Sequence, residues 1–244
     1  MRTTKIEWTD KTWNPITGCS KYSAGCVHCY AEVMSKRLKT MGILKYENAF
    51  SITMHHNCLD EPIKWKKSCN IFVCSMSDLF HENVPFDFID KVFYTIYSCP
   101  HHRFQILTKR AERMAEYFST REVPNNVWIG VTVENVQAKS RIDYLQSINA
   151  KVHFLSCEPL IEDLGSLSLD NIQWIIVGGE SGPFARPMEL SWVENIKEQA
   201  DSNEIPFFFK QWGTWGVDGV KRNKNKNGKL LNGNIVQNMP KQNS

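Results

Sequence analysis

No run of apolar residues in this chain approaches the eighteen or so that a membrane-spanning helix needs. Its longest apolar stretches, 174–177 and 206–209, are strand-sized. The opening residues, MRTTKIEWTDKTW, lack the apolar centre of a secretory signal, so a cytoplasmic protein without membrane association is expected. Charge of one sign is also scarce: 29 Lys and Arg face 26 Asp and Glu, a formal net charge of +3, too mild to argue by itself for a polyanionic partner. Repeats and true linkers are lacking too. One domain over residues 1–216 is expected, with 217–244 as a basic loop or hairpin extension of it. Disorder is excluded, because 42% of residues are hydrophobic and only 23% charged.

Cysteine is present eight times, at 19, 26, 29, 58, 69, 74, 99 and 157. Without an export signal, reduced thiols are the reading preferred over four disulfides. The question becomes which of them bind metal.

Short apolar, β-branched runs recur at 12–14, 51–54, 70–74, 104–107, 127–133, 152–156, 174–177 and 206–209. Helical patterning lies between them at 31–41, 86–98, 111–118, 138–148 and 192–201. Alternation of this kind predicts an α/β fold with a buried parallel sheet. Up to eight units point to a (β/α) barrel, complete or partial, with an open doubly wound sheet as the competitor. Polar residues follow the strands: Ser75 and Asp78, Thr108 and Lys109, Glu134 and Asn135, Glu158, Gly178–Gly179–Glu180, then Lys210 and Gln211. In parallel α/β folds, sites gather at the carboxyl ends of strands, so these tails predict a shared polar mouth. The stretch KRNKNKNGK (221–229) reads as a solvated hairpin or loop, with contact to a phosphate backbone as the sharper alternative.

The most informative segment is WNPITGCSKYSAGCVHCYAE (13–32), with cysteines spaced C-x6-C-x2-C. Gly18 and Gly25 each precede a cysteine, where a residue without Cβ lets the chain turn tightly. A C-x2-C pair suits zinc, yet structural zinc takes four protein ligands and no second such pair is present; His28, His55, His56 and Cys58 are the nearest candidates for a fourth. Three thiolates without an evident fourth also suit an iron–sulfur cubane with one open iron. Spacing alone leaves both open.

The cysteine segment resembles that of the phage Gp37/Gp68 family, a three-cysteine-motif domain of unknown function. The resemblance runs on through SITMHHNCLDEPIKW (51–65), FVCSMSDLFHENVP (72–85), ILTKRAERM (106–114), WIGVTVEN (128–135), FLSCEPLIEDL (154–164), WIIVGGESGPFARPM (174–188) and PFFFKQWG (206–213). More distantly, the succession of cysteine loop, SxxD after a strand and LTK after the next is similar to spore photoproduct lyase-like radical SAM enzymes. That resemblance implies a (β/α) barrel of radical SAM type, complete or partial. It implies a [4Fe–4S] cluster on Cys19, Cys26 and Cys29, with S-adenosyl-L-methionine (SAM) cleaved to a 5′-deoxyadenosyl radical for hydrogen abstraction. An external electron donor and a nucleobase or nucleic-acid substrate are implied with it, and a protein partner is left open. The spacing departs from the C-x3-C-x2-C usual in that group. Carried over by position, His28 would pack near the adenine, Ser75 and Asp78 would line the SAM loop, and Lys109 would meet the methionyl carboxylate.

Glu134 and Glu158 are candidates for ribose or substrate contact. Gly178–Gly179–Glu180 looks like the superfamily's glycine-glycine-glutamate signature but follows the seventh candidate strand rather than the second. Its local rationale is close backbone approach at the glycines and an amine or hydroxyl on Glu180. Lys210 would face substrate. Arg186 is a candidate for a phosphate, and Tyr22, Tyr30, Trp212 and Trp215 for stacking or rim packing. Two competitors remain: a zinc-binding nucleic-acid-interaction module without catalysis, and a hydrolase or nuclease using Asp78, Glu134, Glu158 and Glu180 on a divalent metal.

Overall fold

A computed structural model describes residues 4–241. The first three and last three residues, part of the expected domain and its extension, lie outside the described residues. Seven parallel strands form one sheet: β1 (Lys11–Trp13), β2 (Asn70–Val73), β3 (Arg103–Thr108), β4 (Val127–Thr132), β5 (Val152–Cys157), β6 (Trp174–Gly178) and β7 (Phe207–Gln211). They lie side by side in chain order, each hydrogen-bonded to the next. Five helices serve the crossovers: α1 (Tyr30–Thr40), α2 (Phe86–Tyr97), α3 (Ala111–Phe118), α4 (Ser140–Gln146) and α5 (Leu190–Ser202).

Alternation along each strand sorts the side chains onto two faces. Ile71, Val73, Phe104, Ile106, Ile129, Val131, Leu155, Ile175, Val177, Phe207 and Phe209 point outward into the main core, against Ile89, Val92 and Phe93 of α2, Met114 of α3, Leu145 of α4 and Ile196 of α5. Phe72, Trp128, Phe154, Trp174, Ile176 and Phe208 point the other way and pack around Trp8. That second cluster fixes the curvature. The Trp8 ring lies 4.7 Å from Phe72 on β2 and 6.0 Å from Trp174 on β6. In a flat sheet, strands four places apart are separated by about 19 Å. The sheet therefore curls into a half-barrel with an aromatic floor. Burial of each such ring contributes roughly 1.5–3 kcal/mol relative to exposure.

The barrel is partial, and one expected strand lies elsewhere. Residues 51–54 do not enter the main sheet: Thr53–Met54 pairs antiparallel with Ile16–Thr17, just past β1. This short ladder leads straight into the cysteine loop, whose Gly18 and Cys19 amides donate to Met76 and Phe50 carbonyls at 3.1 and 3.0 Å. At the other edge the expected C-terminal extension covers β7. The Phe209 amide donates to Val236 at 2.7 Å, the Asn238 amide to Phe207 at 3.0 Å, and Phe208 bridges Gln237 antiparallel. An otherwise open strand edge is closed in this way. Residues 221–229 contain one short helical turn, Lys224–Asn227, ahead of a hairpin made by Leu230–Leu231 and Asn234–Ile235. No helix among the described residues is long and apolar enough to cross a membrane.

Candidate functional site

The inward-facing register that lays the aromatic floor continues to the last residues of the strands and just beyond them as Lys109, Glu134, Glu158, Gly178 and Lys210. The floor and the polar rim above it are two parts of one alternating pattern.

Across this mouth lies the cysteine loop, residues 18–29. It leaves the ladder after β1, makes a 3₁₀ turn at Ala24–Cys26 and ends at Cys29, the residue before α1. Two glycines let it fit. Gly18 has φ +83°, and a Cβ there would lie 2.1 Å from the Ser51 carbonyl oxygen. A Cβ on Gly25 would come within 3.1 Å of the Glu134 side chain.

Two glutamates from separate strands hold the loop from beneath. Glu134, past β4, is fully buried. Its Oε1 accepts from the Ser23 hydroxyl and, at 3.3 Å, from the Gly25 amide. Its Oε2 takes Arg141 Nη1 at 2.7 Å, and the same nitrogen donates to the Thr132 carbonyl at 2.6 Å. Burial would raise this carboxyl, but Lys109, Arg141 and the Ser23 hydroxyl outweigh it and hold it below the usual range. Glu180, past β6, accepts from His28 Nδ1 at 3.2 Å and from Arg186 through Nη2 at 2.6 Å, Nε at 2.9 Å and the backbone amide at 2.8 Å. Arg186 Nη2 then donates to the Ala24 carbonyl at 3.0 Å. Against its burial, Arg186 and His28 hold Glu180 low as well.

A third anchor grips the start of the loop. Arg110, buried and directly after Lys109, donates to Asp78 Oδ2 at 3.3 Å, Glu82 Oε2 at 2.8 Å and Ser20 Oγ at 2.9 Å, with Nη1 3.7 Å from Cys19 Sγ. His81, also buried, meets Ser20 Oγ through Nε2 at 2.8 Å. The Tyr22 ring lies 4.9 Å from the Arg110 guanidinium and 5.5 Å from that of Arg141. Burial pushes the Cys19 thiol up to about 11, Asp78 adds to the rise and Arg110 opposes it.

The remaining expected residues divide by how they are engaged. Asp78 accepts from the Thr108 hydroxyl at 2.7 Å and from the Lys109 and Phe80 amides at 3.0 Å each, besides Arg110, so its carboxylate ties β2's loop to β3's end. Ser75 donates to Asn14 Oδ1 at 3.1 Å, and its carbonyl accepts from the Tyr30 hydroxyl. Glu158 pairs with Lys210 at 2.8 Å, both partly exposed. A Cβ on Gly178 would lie 2.7 Å from Glu158 Oε1, and one on Gly179 1.9 Å from the Trp212 carbonyl oxygen, so the space at both glycines is filled by the chain itself. The Lys109 ammonium has no hydrogen-bond or ion-pair partner among the described residues. Arg186, a candidate phosphate ligand, is taken up by Glu180. Trp212 and Trp215 are rim packing, with indole N–H groups donating to Leu230 and Ala185 carbonyls.

Arg110, Arg141, Ser23 and His81 are the residues that sequence reasoning missed. Arg110 alone left a signal, as the next residue after the polar tail Thr108–Lys109. Ser23 and His81 act on partners far away in sequence, and Arg141 reaches back from α4 to Glu134 seven residues earlier.

The carboxylates do not converge on a shared metal position. Asp78, Glu134, Glu158 and Glu180 each face a separate cation. Among the described residues no three His, Cys, Asp or Glu side chains are drawn together as a metal-ligand group. Cys19, Cys26 and Cys29 are half-buried free thiols strung around one loop. As donors they suit an iron–sulfur cluster: three sulfurs, a guanidinium beside the first, and a loop fixed at both ends.

A surface hollow of about 380 Å³, lined by Tyr97, Pro100, Val123 and Asn126, lies at the amino end of β4, away from these residues.

No curated protein matches this chain. Among solved structures it is similar to spore photoproduct lyase complexed with dinucleoside spore photoproduct, at 9% identity and a TM-score of 0.42, over 82% of this chain and 64% of that one. The chain thus spans less than two thirds of that enzyme's length, and a likeness of this size carries no functional inference. Residues 3–240 match the family described as a protein of unknown function, DUF5131, and the chain belongs to that family.

Proposed function

We propose that this chain is an iron–sulfur enzyme of radical SAM type. The observation that supports it is where the cysteine loop lies: three free thiols cross the carboxyl-end mouth of a parallel half-barrel, buttressed by Glu134, Glu180 and Arg110. In this reading Cys19, Cys26 and Cys29 hold a [4Fe–4S] cluster, and SAM binds in the mouth beside it. When bound, cluster and SAM together supply, with one electron from an external donor, a 5′-deoxyadenosyl radical for hydrogen abstraction.

The chain's own residues bind, orient and exclude. Lys109, an unpartnered point cation on a flexible stem, receives the methionyl carboxylate. Asp78 acts at one remove, by fixing Arg110 against Cys19 and Ser20. Ser75 sets the loop after β2 through Asn14. The His28 ring, turned by Glu180 and 6.0 Å from the Phe184 ring, forms an aromatic wall for the adenine. Glu134, expected at the ribose, is buried with both oxygens engaged and instead keeps the loop at its height above the mouth. The Glu158–Lys210 pair, open to solvent on one side, offers a donor and an acceptor to a polar substrate. Beneath them the aromatic floor keeps water out of the barrel interior.

The test is SAM cleavage. Anaerobically reconstituted and reduced protein is expected to release 5′-deoxyadenosine, and Cys19→Ala, Cys26→Ala and Cys29→Ala variants to release none. Protein that carries a full cluster yet neither binds nor cleaves SAM would contradict the proposal.

A further inference from the structure

The loop after β7 is built against the loop after β6, and its charge is concentrated. Residues 210–229 hold six Lys or Arg and one Asp, so a chain with a formal net charge of +3 is net negative outside this stretch. That one Asp, Asp218, is neutralised by Arg222 at 2.6 Å. The Lys224 and Lys226 ammonium groups have no partner among the described residues, and both residues are exposed.

The stretch has a fixed seat on the mouth. Gly182 N donates to Thr214 Oγ1 at 2.9 Å, Trp215 Nε1 to the Ala185 carbonyl at 2.6 Å, and Lys221 Nζ to the Pro183 carbonyl. Asn227 Nδ2 closes the loop on the Gly213 and Thr214 carbonyls at 3.0 and 2.8 Å. Between this basic loop and the cysteine loop stands Phe184, next to Pro183 and 6.0 Å from the His28 ring, a residue 75% exposed. A large aromatic held out in water next to the anchor of a lysine-rich loop is what a stacking platform with a phosphate track requires.

We infer that a single-stranded nucleic acid lies along this rim, its phosphates on Lys221, Lys224 and Lys226 and one unstacked base on Phe184. The inference rests on the proposed function in one respect, that it supplies the substrate class of the same mouth. A duplex keeps its bases stacked and could use only the lysines. A free base face is what Phe184 can take.

The experiment measures anisotropy of a labelled single-stranded oligonucleotide of about 12 nucleotides. It uses the full-length protein as purified, with a duplex of the same sequence and a polyglutamate peptide as competitors. The expected result is binding with a log–log salt slope of about −2, from three phosphates at about 0.7 each. The triple variant Lys221→Ala, Lys224→Ala, Lys226→Ala should weaken binding at least about tenfold and flatten that slope. Phe184→Ala should weaken it about tenfold and leave the slope unchanged. Lys224, Lys226 and Phe184 are exposed while Lys221 also holds the Pro183 carbonyl, so circular dichroism checks that the variants fold. The double variant Lys224→Ala, Lys226→Ala, which leaves that contact intact, should weaken binding and flatten the slope in the same direction. Absence of binding at low salt, undiminished binding by the triple variant, or equally strong competition by duplex or polyglutamate would overturn the inference. Iron content is read separately, so loss of the cluster reading and loss of this one are distinguishable.

Discussion

Glu180, at the end of β6, holds His28 of the cysteine loop at 3.2 Å across 152 residues of sequence. With Glu134 on Ser23 and Gly25, this makes two strand-end carboxylates the supports of the loop that carries the three thiols.

Removing one support should be costly. Glu134→Ala leaves the Arg141 guanidinium buried without its counter-ion, which costs about 3–5 kcal/mol. Glu134→Gln keeps an acceptor for Ser23 and Gly25 and should lose less. Urea denaturation with unchanged m-values checks the order. Equal stability of wild type and Glu134→Ala would show that the pair is not a support.

The two adjacent glycines should separate by role. In Gly179→Ala the new methyl meets the Trp212 backbone, which cannot yield, so a loss of at least about 1–3 kcal/mol is expected. In Gly178→Ala the methyl meets the end of the Glu158 side chain, which can rotate away from Lys210. Stability should fall less there, while any ligand of the Glu158–Lys210 pair should bind more weakly. Thermal melts and ligand titration read the two effects apart.

Acid should release the loop. The folded carboxyls of Glu134 and Glu180 are held below their ordinary value, about 4.3. Their stabilisation is therefore complete above that value and is lost as pH falls through the depressed folded values. Reactivity of Cys26 and Cys29 toward a dipyridyl disulfide, which works in acid, should rise below about pH 4. In a Glu134→Gln, Glu180→Gln variant it should already be high near neutrality. A variant with wild-type reactivity throughout would rule the supports out.

Lys109 acts on buried Glu134 through space, as a neighbouring charge without a hydrogen bond or ion pair. Its ammonium lacks a direct partner among the described residues, so Lys109→Ala should cost less stability, about 1 kcal/mol, than the loss of Arg141's ion pair in Glu134→Ala. SAM affinity, measured by equilibrium dialysis, should fall about tenfold or more with loss of a charge-assisted contact. Unchanged affinity would remove Lys109 from the SAM site.

The strands of the half-barrel were legible because a parallel sheet buried on both faces leaves continuous β-branched and aromatic runs, as at Val127–Thr132 and Trp174–Gly178. The strand-end positions Lys109, Glu134, Glu158 and Lys210 were legible for the same reason, since alternation places them on the inner face. Residues 51–54 read equally well as a barrel strand. They became a two-residue ladder because their partner is the chain just after β1, a pairing that periodicity does not encode. The supporting side chains were hidden in a different way. Arg141 serves Glu134 from a helix that looks like any other amphipathic helix, and Arg110 is one cation among many. The reach of a buried ion pair depends on the tertiary fold.

Iron content and the visible spectrum of anaerobically reconstituted protein test the central claim most directly. The account predicts about four irons per chain, a broad brown absorption, and loss of both in Cys19→Ala, Cys26→Ala and Cys29→Ala variants. A colourless protein that retains one tightly bound zinc and no iron would contradict it.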